Sequence, residues 1–211
     1  MAADQGQQFL GGISRRSVLR GGLLAGVGVA TVGAASAVLT GTAKAAASGW
    51  QSDWAFCVYC NALWWAKNGS PSDACPGNSK TGEHGLASGD YVYEVNYGLS
   101  GLNNSSDPQP DWRFCTKCCA LFWGGFGGAC WANRLGTSVG PHTAGTTNYG
   151  LYWNASGTDA QENWRFCGKC SVIFWQGSSG SGTGACAAAS GGPHLDGSST
   201  IYEMFWGGTW S

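Results

Sequence analysis

Trp54-Ala55-Phe56-Cys57-Val58-Tyr59-Cys60, Trp112-Arg113-Phe114-Cys115-Thr116-Lys117-Cys118 and Trp164-Arg165-Phe166-Cys167-Gly168-Lys169-Cys170 are three copies of one motif, Trp-x-Phe-Cys-x-x-Cys. Each runs on into a matching apolar segment: Asn61-Ala62-Leu63-Trp64-Trp65, Cys119-Ala120-Leu121-Phe122-Trp123 and Ser171-Val172-Ile173-Phe174-Trp175. A repeat of this length sets the architecture before any single residue is interpreted. Trp and Phe two apart have the period of a half-buried strand, and the aromatic and β-branched segment after the second cysteine reads as its partner. The Cys-x-x-Cys then occupies the turn of a hairpin, where two thiols can reach one metal from the same side.

Working outward, each motif is followed by a histidine 30 residues after its Trp: His84, His142 and His194, the only three in the chain. A third cysteine, Cys75, Cys130 or Cys186, lies between the pair and the histidine. Each repeat therefore holds three cysteines and one histidine, the ligand count of a tetrahedral Cys3His zinc site. The expected sets are Cys57, Cys60, Cys75 and His84; Cys115, Cys118, Cys130 and His142; and Cys167, Cys170, Cys186 and His194, for about three structural zinc ions in all.

Disulfides are the competing use of cysteine in an exported protein. Three features favour zinc. An odd number of cysteines cannot pair within a repeat. The second cysteine and the histidine keep one separation throughout while the third cysteine drifts in its loop, and a disulfide gives no reason for a histidine. Finally, an export route for folded proteins lets thiolates bind metal in the reducing cytoplasm first. Cys119, beside Cys118 where the other repeats have Asn61 and Ser171, is an extra thiol read as a buried free cysteine, with an intermolecular disulfide as the alternative.

The export expectation comes from residues 1–45. Ser14-Arg15-Arg16-Ser17-Val18-Leu19-Arg20 is a twin-arginine pattern, Gly21 to Thr42 is an apolar stretch, and Ala43-Lys44-Ala45 fits a small-residue cleavage site, with Ala47 as another cut point. The stretch is long enough to span a bilayer, but it is rich in Gly and Ala and ends in a cleavage motif, which favours a cleaved leader over an anchor. The mature chain, 46–211, is one domain's worth, with repeats at about 50–103, 108–160 and 161–211.

From residue 46 onward, seven Lys/Arg face eleven Asp/Glu without runs of either sign. That balance argues against nucleic acid as a partner, and a cleaved leader leaves no membrane span. Tyr91-Val-Tyr-Glu-Val-Asn-Tyr97 and Thr200-Ile-Tyr-Glu-Met-Phe-Trp206 read as further strands, with Tyr91, Tyr149 and Ile201 each seven residues past a histidine. Gly98 to Asp111 and Asn154 to Asn163 read as connecting loops. No stretch keeps helical periodicity. The expected fold is all-β, built of three zinc-knuckle units. Pseudo-threefold symmetry, like a trefoil or prism, would let them bury a shared aromatic core; a string of independent modules is the alternative.

If every histidine is a ligand, none is left as a general base, and a closed site offers no open position for catalytic water. The chain therefore reads as no enzyme. A carboxylate pair such as Glu94 and Glu203 would be needed for a hydrolase, and these read instead as solvated strand-face charges. Trp54, Trp112 and Trp164 read as core. Trp65, Trp123 and Trp175 are candidate ligand-binding rings or further core, and the unrepeated Trp50, Trp131, Trp153, Trp206 and Trp210 suggest an interaction surface. Asp53, Asp111 and Asn163, just before each first Trp, read as turn or strand-entry residues, with binding of a sugar hydroxyl as the alternative.

The three copies resemble a family of secreted actinobacterial proteins with tandem repeats of the form Trp-Arg-Trp/Phe-Cys-x-Lys-Cys-x-x-Leu-Phe/Tyr and a later Cys and His. The resemblance covers nearly all of the mature chain; the first repeat departs from it at Ala55 and Tyr59, where Arg and Lys are expected. It implies secretion and non-catalytic binding, as a protein-binding adaptor or lectin-like subunit in an extracellular assembly, including toxin particles. The expected partner is thus a protein of a secreted complex or a cell-surface glycan.

Overall fold

The structure is a computed structural model that describes residues 49–86, 91–98, 108–135, 138–153, 159–177 and 183–209. The leader and Trp210 lie outside the described residues.

The aromatic motifs form the expected hairpins. In the first repeat β1 (Gly49–Phe56) turns into β2 (Leu63–Trp65); in the second, β4 (Gln109–Cys115) turns into β5 (Leu121–Trp123); in the third, β9 (Ala160–Phe166) turns into β10 (Ile173–Trp175). The register is the same each time: Trp54 faces Trp65, Trp112 faces Trp123, and Trp164 faces Trp175. A third strand flanks each hairpin: β3 (Tyr91–Tyr97), β8 (Ala144–Trp153) and β11 (Tyr202–Thr209), setting Tyr93, Tyr149 and Tyr202 opposite the same three tryptophans. The second repeat adds a small ribbon, β6 (Cys130–Leu135) with β7 (Ser138–Gly140), which among the described residues has no counterpart in the other two. The fold is all-β; among the described residues the only helical elements are two short 3-10 turns, Ala66–Asn68 and Ala187–Ala189.

The repeats do not stand apart as separate modules. β3 pairs with β8, β8 with β11, and β11 with β3, so nine strands join one sheet that nearly closes on itself. At the hairpin ends a second set of bridges joins Trp64 to Ala120, Phe122 to Val172, and Phe174 to Ala62. Each set runs from repeat to repeat and returns to where it began.

Side chains follow the same path. Tyr93 donates to Gln161 (2.7 Å), Tyr149 to Gln51 (2.5 Å) and Tyr202 to Gln109 (2.5 Å). Trp54, Trp112 and Trp164 are fully buried in one core cluster with Leu63, Leu121 and Ile173, and each meets the edge of a tyrosine from another repeat with ring centroids 5.3 Å apart. Edge-on aromatic packing is favourable beyond area alone. A second cluster contains the cysteines, with Trp64, Phe122 and Phe174.

Three expectations need correction. The first strands begin earlier than the sequence reading allowed, so Gln109–Asp111 and Ala160–Asn163 are strand rather than loop. Asp53, Asp111 and Asn163 make this possible: at φ of 68°, 72° and 68° they form left-handed bulges, and Asp and Asn tolerate that conformation better than most residues. The equivalent tyrosines are Tyr93, Tyr149 and Tyr202, not Tyr91, Tyr149 and Ile201, because the stretch between histidine and strand differs in length; Tyr91 is exposed. Glu203 is buried rather than solvated, since its strand position faces Tyr152 where β11 meets β8.

Candidate metal centres

Each centre is assembled from a tight turn and a returning loop. In the first, the Cys57 amide donates to the Ala62 carbonyl at 3.0 Å and the Asn61 amide donates back to the Cys57 carbonyl at 2.8 Å, closing the turn between the two thiols. Cys115 with Ala120 and Cys119, and Cys167 with Val172 and Ser171, repeat the pattern. Turning the chain back requires a left-handed residue after the second cysteine, and Asn61, Cys119 and Ser171 have φ of 61°, 59° and 63°.

The loop that returns the histidine is pinned by the third cysteine. Cys75 donates its amide to Gly82 and Cys186 to Gly192, both at 2.6 Å, while Cys130 is the β partner of Gly140. Each of these glycines stands two residues before a ligand histidine: Gly82-Glu83-His84, Gly140-Pro141-His142 and Gly192-Pro193-His194. The repeated Gly-x-His is present in the sequence, but a count of metal ligands makes no use of it; its role appears only once each glycine is seen paired with the third cysteine. Gly128 and Gly184, at φ of 57° and 54°, lie against the Cys170 and Cys60 carbonyls, where any Cβ would collide.

All twelve expected ligands are buried, and the structure gathers them into the three expected sets, with the four ligand atoms of each set within 4.8 Å of one another. The first and third sulfurs are 3.7, 3.8 and 3.8 Å apart in the three sets. The second sulfur lies 3.5, 3.5 and 3.4 Å from histidine Nδ1. A disulfide would need about 2.05 Å. Bonds of about 2.3 Å to sulfur and about 2.0–2.1 Å to nitrogen, at tetrahedral angles, give edges of about 3.8 Å between sulfurs and about 3.5 Å from sulfur to nitrogen. The three sites can each hold a metal ion.

The outer shell fits as well. Each imidazole uses Nδ1 on the sulfur side and Nε2 on a backbone carbonyl of the following repeat: His84 to Cys118, His142 to Cys170 and His194 to Cys60, all at 3.0 Å. A carbonyl accepting from Nε2–H fixes the tautomer that leaves Nδ1 free to ligate. The rings stack on Trp64, Phe122 and Phe174.

Electrostatics within each set favour a thiolate. Hydrogen bonds from Cys118 and Cys130 hold the Cys115 thiol well below its usual range, and Cys170 and Cys186 do the same for Cys167. Burial opposes ionisation of Cys57, yet bonds from Cys60, Cys75 and His84 bring it down too. Burial also works against charge on His84 and His194, but their cysteine partners raise both to about 9. A bound dication would supply the positive charge that these buried thiolates otherwise draw from imidazole.

Cys119 is buried outside the sets, and burial pushes its thiol up to about 11. Trp65, Trp123 and Trp175 are half-buried and each packs edge-on against a phenylalanine of another repeat: Phe114, Phe166 and Phe56 respectively. The indole N–H of Trp65 donates to Ser52 and that of Trp175 to Glu162, so these rings are fixed in place.

No protein-family model, curated protein or solved structure matches the chain.

Proposed function

We propose that this chain is a secreted, non-catalytic interaction module, held by three structural zinc ions and acting as a protein-binding adaptor or subunit of an extracellular assembly. One observation carries the reading: every candidate centre is closed by four buried protein ligands whose spacings match the edges of a zinc tetrahedron. A closed site supplies folding free energy and keeps no position for substrate, and it uses all three histidines. Zinc is favoured over softer or redox-active metals by the mixed sulfur and nitrogen donors in tetrahedral array. Export by the twin-arginine route suits a chain that must take up metal before meeting oxidant.

With chemistry withdrawn from the centres, function falls to the surface, where Trp50, Tyr59, Tyr91, Phe126, Leu135 and Leu195 are exposed. Exposed aromatic and aliphatic side chains in this number favour a protein partner. The lectin-like reading rests on Trp65, Trp123 and Trp175; with the Trp65 and Trp175 N–H groups already engaged, those two offer a sugar little beyond a ring face.

Native mass spectrometry of the secreted protein, with and without a chelator, tests the metal. Three zinc ions lost on chelation support the reading, and a metal-free mass lowered by disulfide formation overturns it. Co-purification from culture supernatant, set beside a glycan array, tests the partner class.

A further inference from the structure

Between the first and second repeats lies an open groove of about 550 Å³. One wall is the start of β1, Trp50 to Asp53, and the other is Gly145 to Thr147 of β8, with Trp65 and Phe114 between them. β2 covers β1 only at Trp54, Ala55 and Phe56, so among the described residues the β1 edge before Trp54 has no second strand beside it. β8 pairs with β3 from Tyr149 onward, Gly98 adds one bond to the Asn148 carbonyl, and the ladder to β4 skips from Ala144 to Asn148, so among the described residues the Gly145–Thr147 stretch has no strand on its β3 side. Among the described residues two stretches with no strand beside them face one groove; on the first the Ser52 carbonyl is already taken by the Trp65 indole, and the remaining main-chain groups are templates for an added strand.

The next junction shows what such a groove accepts. Trp65 meets Phe114 at 5.7 Å and 86°, and Trp123 meets Phe166 at the same 5.7 Å and 86°. At the second junction, however, the chain runs Gly124-Gly125-Phe126 and lays Phe126 onto that pair, 4.7 Å from Trp123 and 6.3 Å from Phe166. At the first junction the same positions are Ala66-Lys67-Asn68, a 3-10 turn with no ring to offer, and Lys67 turns to Asp53 at 3.7 Å instead. The Trp65–Phe114 pair is left beside an open groove, with Trp50, 46% exposed, on its rim.

We infer that this groove docks an extended segment of a partner protein, which runs along the bare edges and places an aromatic side chain on Trp65 and Phe114 where Phe126 sits at the next junction. The inference rests on the adaptor reading and supplies its contact surface. The second junction carries a ring of its own, Phe126, while the first, which borders the groove, has none.

The test pans a phage library of random linear peptides on the metal-loaded mature protein and on a variant whose groove is filled from within, Ala66→Gly with Lys67→Gly and Asn68→Phe. Enriched peptides should share one aromatic position and lose at least tenfold in affinity on the filled variant, and they should shift the Trp50 and Trp65 indole resonances of the wild type. If the triple variant fails to fold, Trp50→Ala, on the exposed rim, takes its place with the same expected loss. Peptides that bind both proteins equally, or no enrichment at all, overturn the inference, as does an arrayed saccharide whose binding alone is lost on filling. A natural partner that still co-purifies with the filled variant would sink the groove but keep the adaptor. Groove-specific peptides with no partner in the supernatant would do the reverse.

Discussion

The imidazole Nε2–H of His194 donates to the backbone carbonyl of Cys60, 134 residues earlier in the chain, at 3.0 Å. The last metal centre is thereby bonded to the turn that forms the first. Because His84 reaches Cys118 and His142 reaches Cys170 in the same way, each centre holds the knuckle of the next, and the direction never reverses. His194→Ala should therefore empty the third centre and also weaken the first, while the second keeps its own outer-shell bond from His84. The first centre keeps the His84 bond to Cys118 and loses only the bond that holds the Cys60 turn, so it should release metal at a lower chelator concentration than the second. Under graded chelation, alkylation of Cys57, Cys60 and Cys75 in this variant should precede that of Cys115, Cys118 and Cys130; simultaneous alkylation would refute directional coupling.

Removing a primary ligand should cost far more than removing an outer-shell bond. Zinc binding at sites of this type is folding free energy on the order of 10 kcal/mol, so Cys60→Ser or His84→Ala should destabilise the first repeat by several kcal/mol and lower the metal count by one. Differential scanning calorimetry with metal analysis checks this. Unchanged melting and metal content in both variants would remove the basis for a zinc site.

The shared core gives a graded prediction. Trp112 is fully buried between Tyr202 and Phe166, whereas Trp123, one strand away, is half-buried. Trp112→Ala should cost about 3–5 kcal/mol, the usual range for a large buried side chain, and Trp123→Ala should cost clearly less. Urea unfolding of the two variants, each loaded with metal, decides the order.

Much of this was legible because the repeat made each residue a member of a set of three. The ligand positions, the buried first tryptophans and strand Tyr91–Tyr97 follow from spacing and alternation alone. The bonds of Tyr93, Tyr149 and Tyr202 to Gln161, Gln51 and Gln109 did not, since the partners are 68, 98 and 93 residues apart and belong to different repeats. Half of that signal was present: Gln51, Gln109 and Gln161 each stand three residues before the motif Trp. What spacing cannot supply is which repeat a side chain reaches, and the burial of Glu203 is hidden for the same reason, being created where two repeats meet.

Tyr202 ties stability to alkaline pH. Burial raises its phenol from 10.0 to about 12, so the folded state favours the protonated form. The contribution is fully present below about pH 10, where the tyrosine of the unfolded chain also keeps its proton, and is lost as pH rises through 10 to 12. A shift of that size corresponds to at most about 2–3 kcal/mol. Tyr202→Phe should lose the bond to Gln109 yet show a shallower fall in stability over this window. Denaturant titrations at several alkaline pH values, with tyrosinate absorbance recorded in parallel, test the slope.

Cys119 offers the cleanest gain in stability. It occupies a left-handed position, φ 59°, that Asn61 fills in the first repeat, and Asn61 uses its side-chain amide to donate to the Trp175 carbonyl at 3.1 Å while Trp175 donates its own amide to the Asn61 carbonyl at 2.9 Å. At the second repeat half of this exchange exists, the Trp65 amide donating to the Cys119 carbonyl at 3.0 Å, but a thiol cannot reproduce the return bond. Cys119→Asn should restore it and relieve the left-handed strain, adding about 0.5–1.5 kcal/mol and raising the melting temperature by about 2–4 °C. Because Cys119 lies outside all three ligand sets, the variant should still bind three metal ions. A fall in metal count would instead make Cys119 a ligand, and a fall in melting temperature with three ions bound would show that the buried thiol packs better than an amide can.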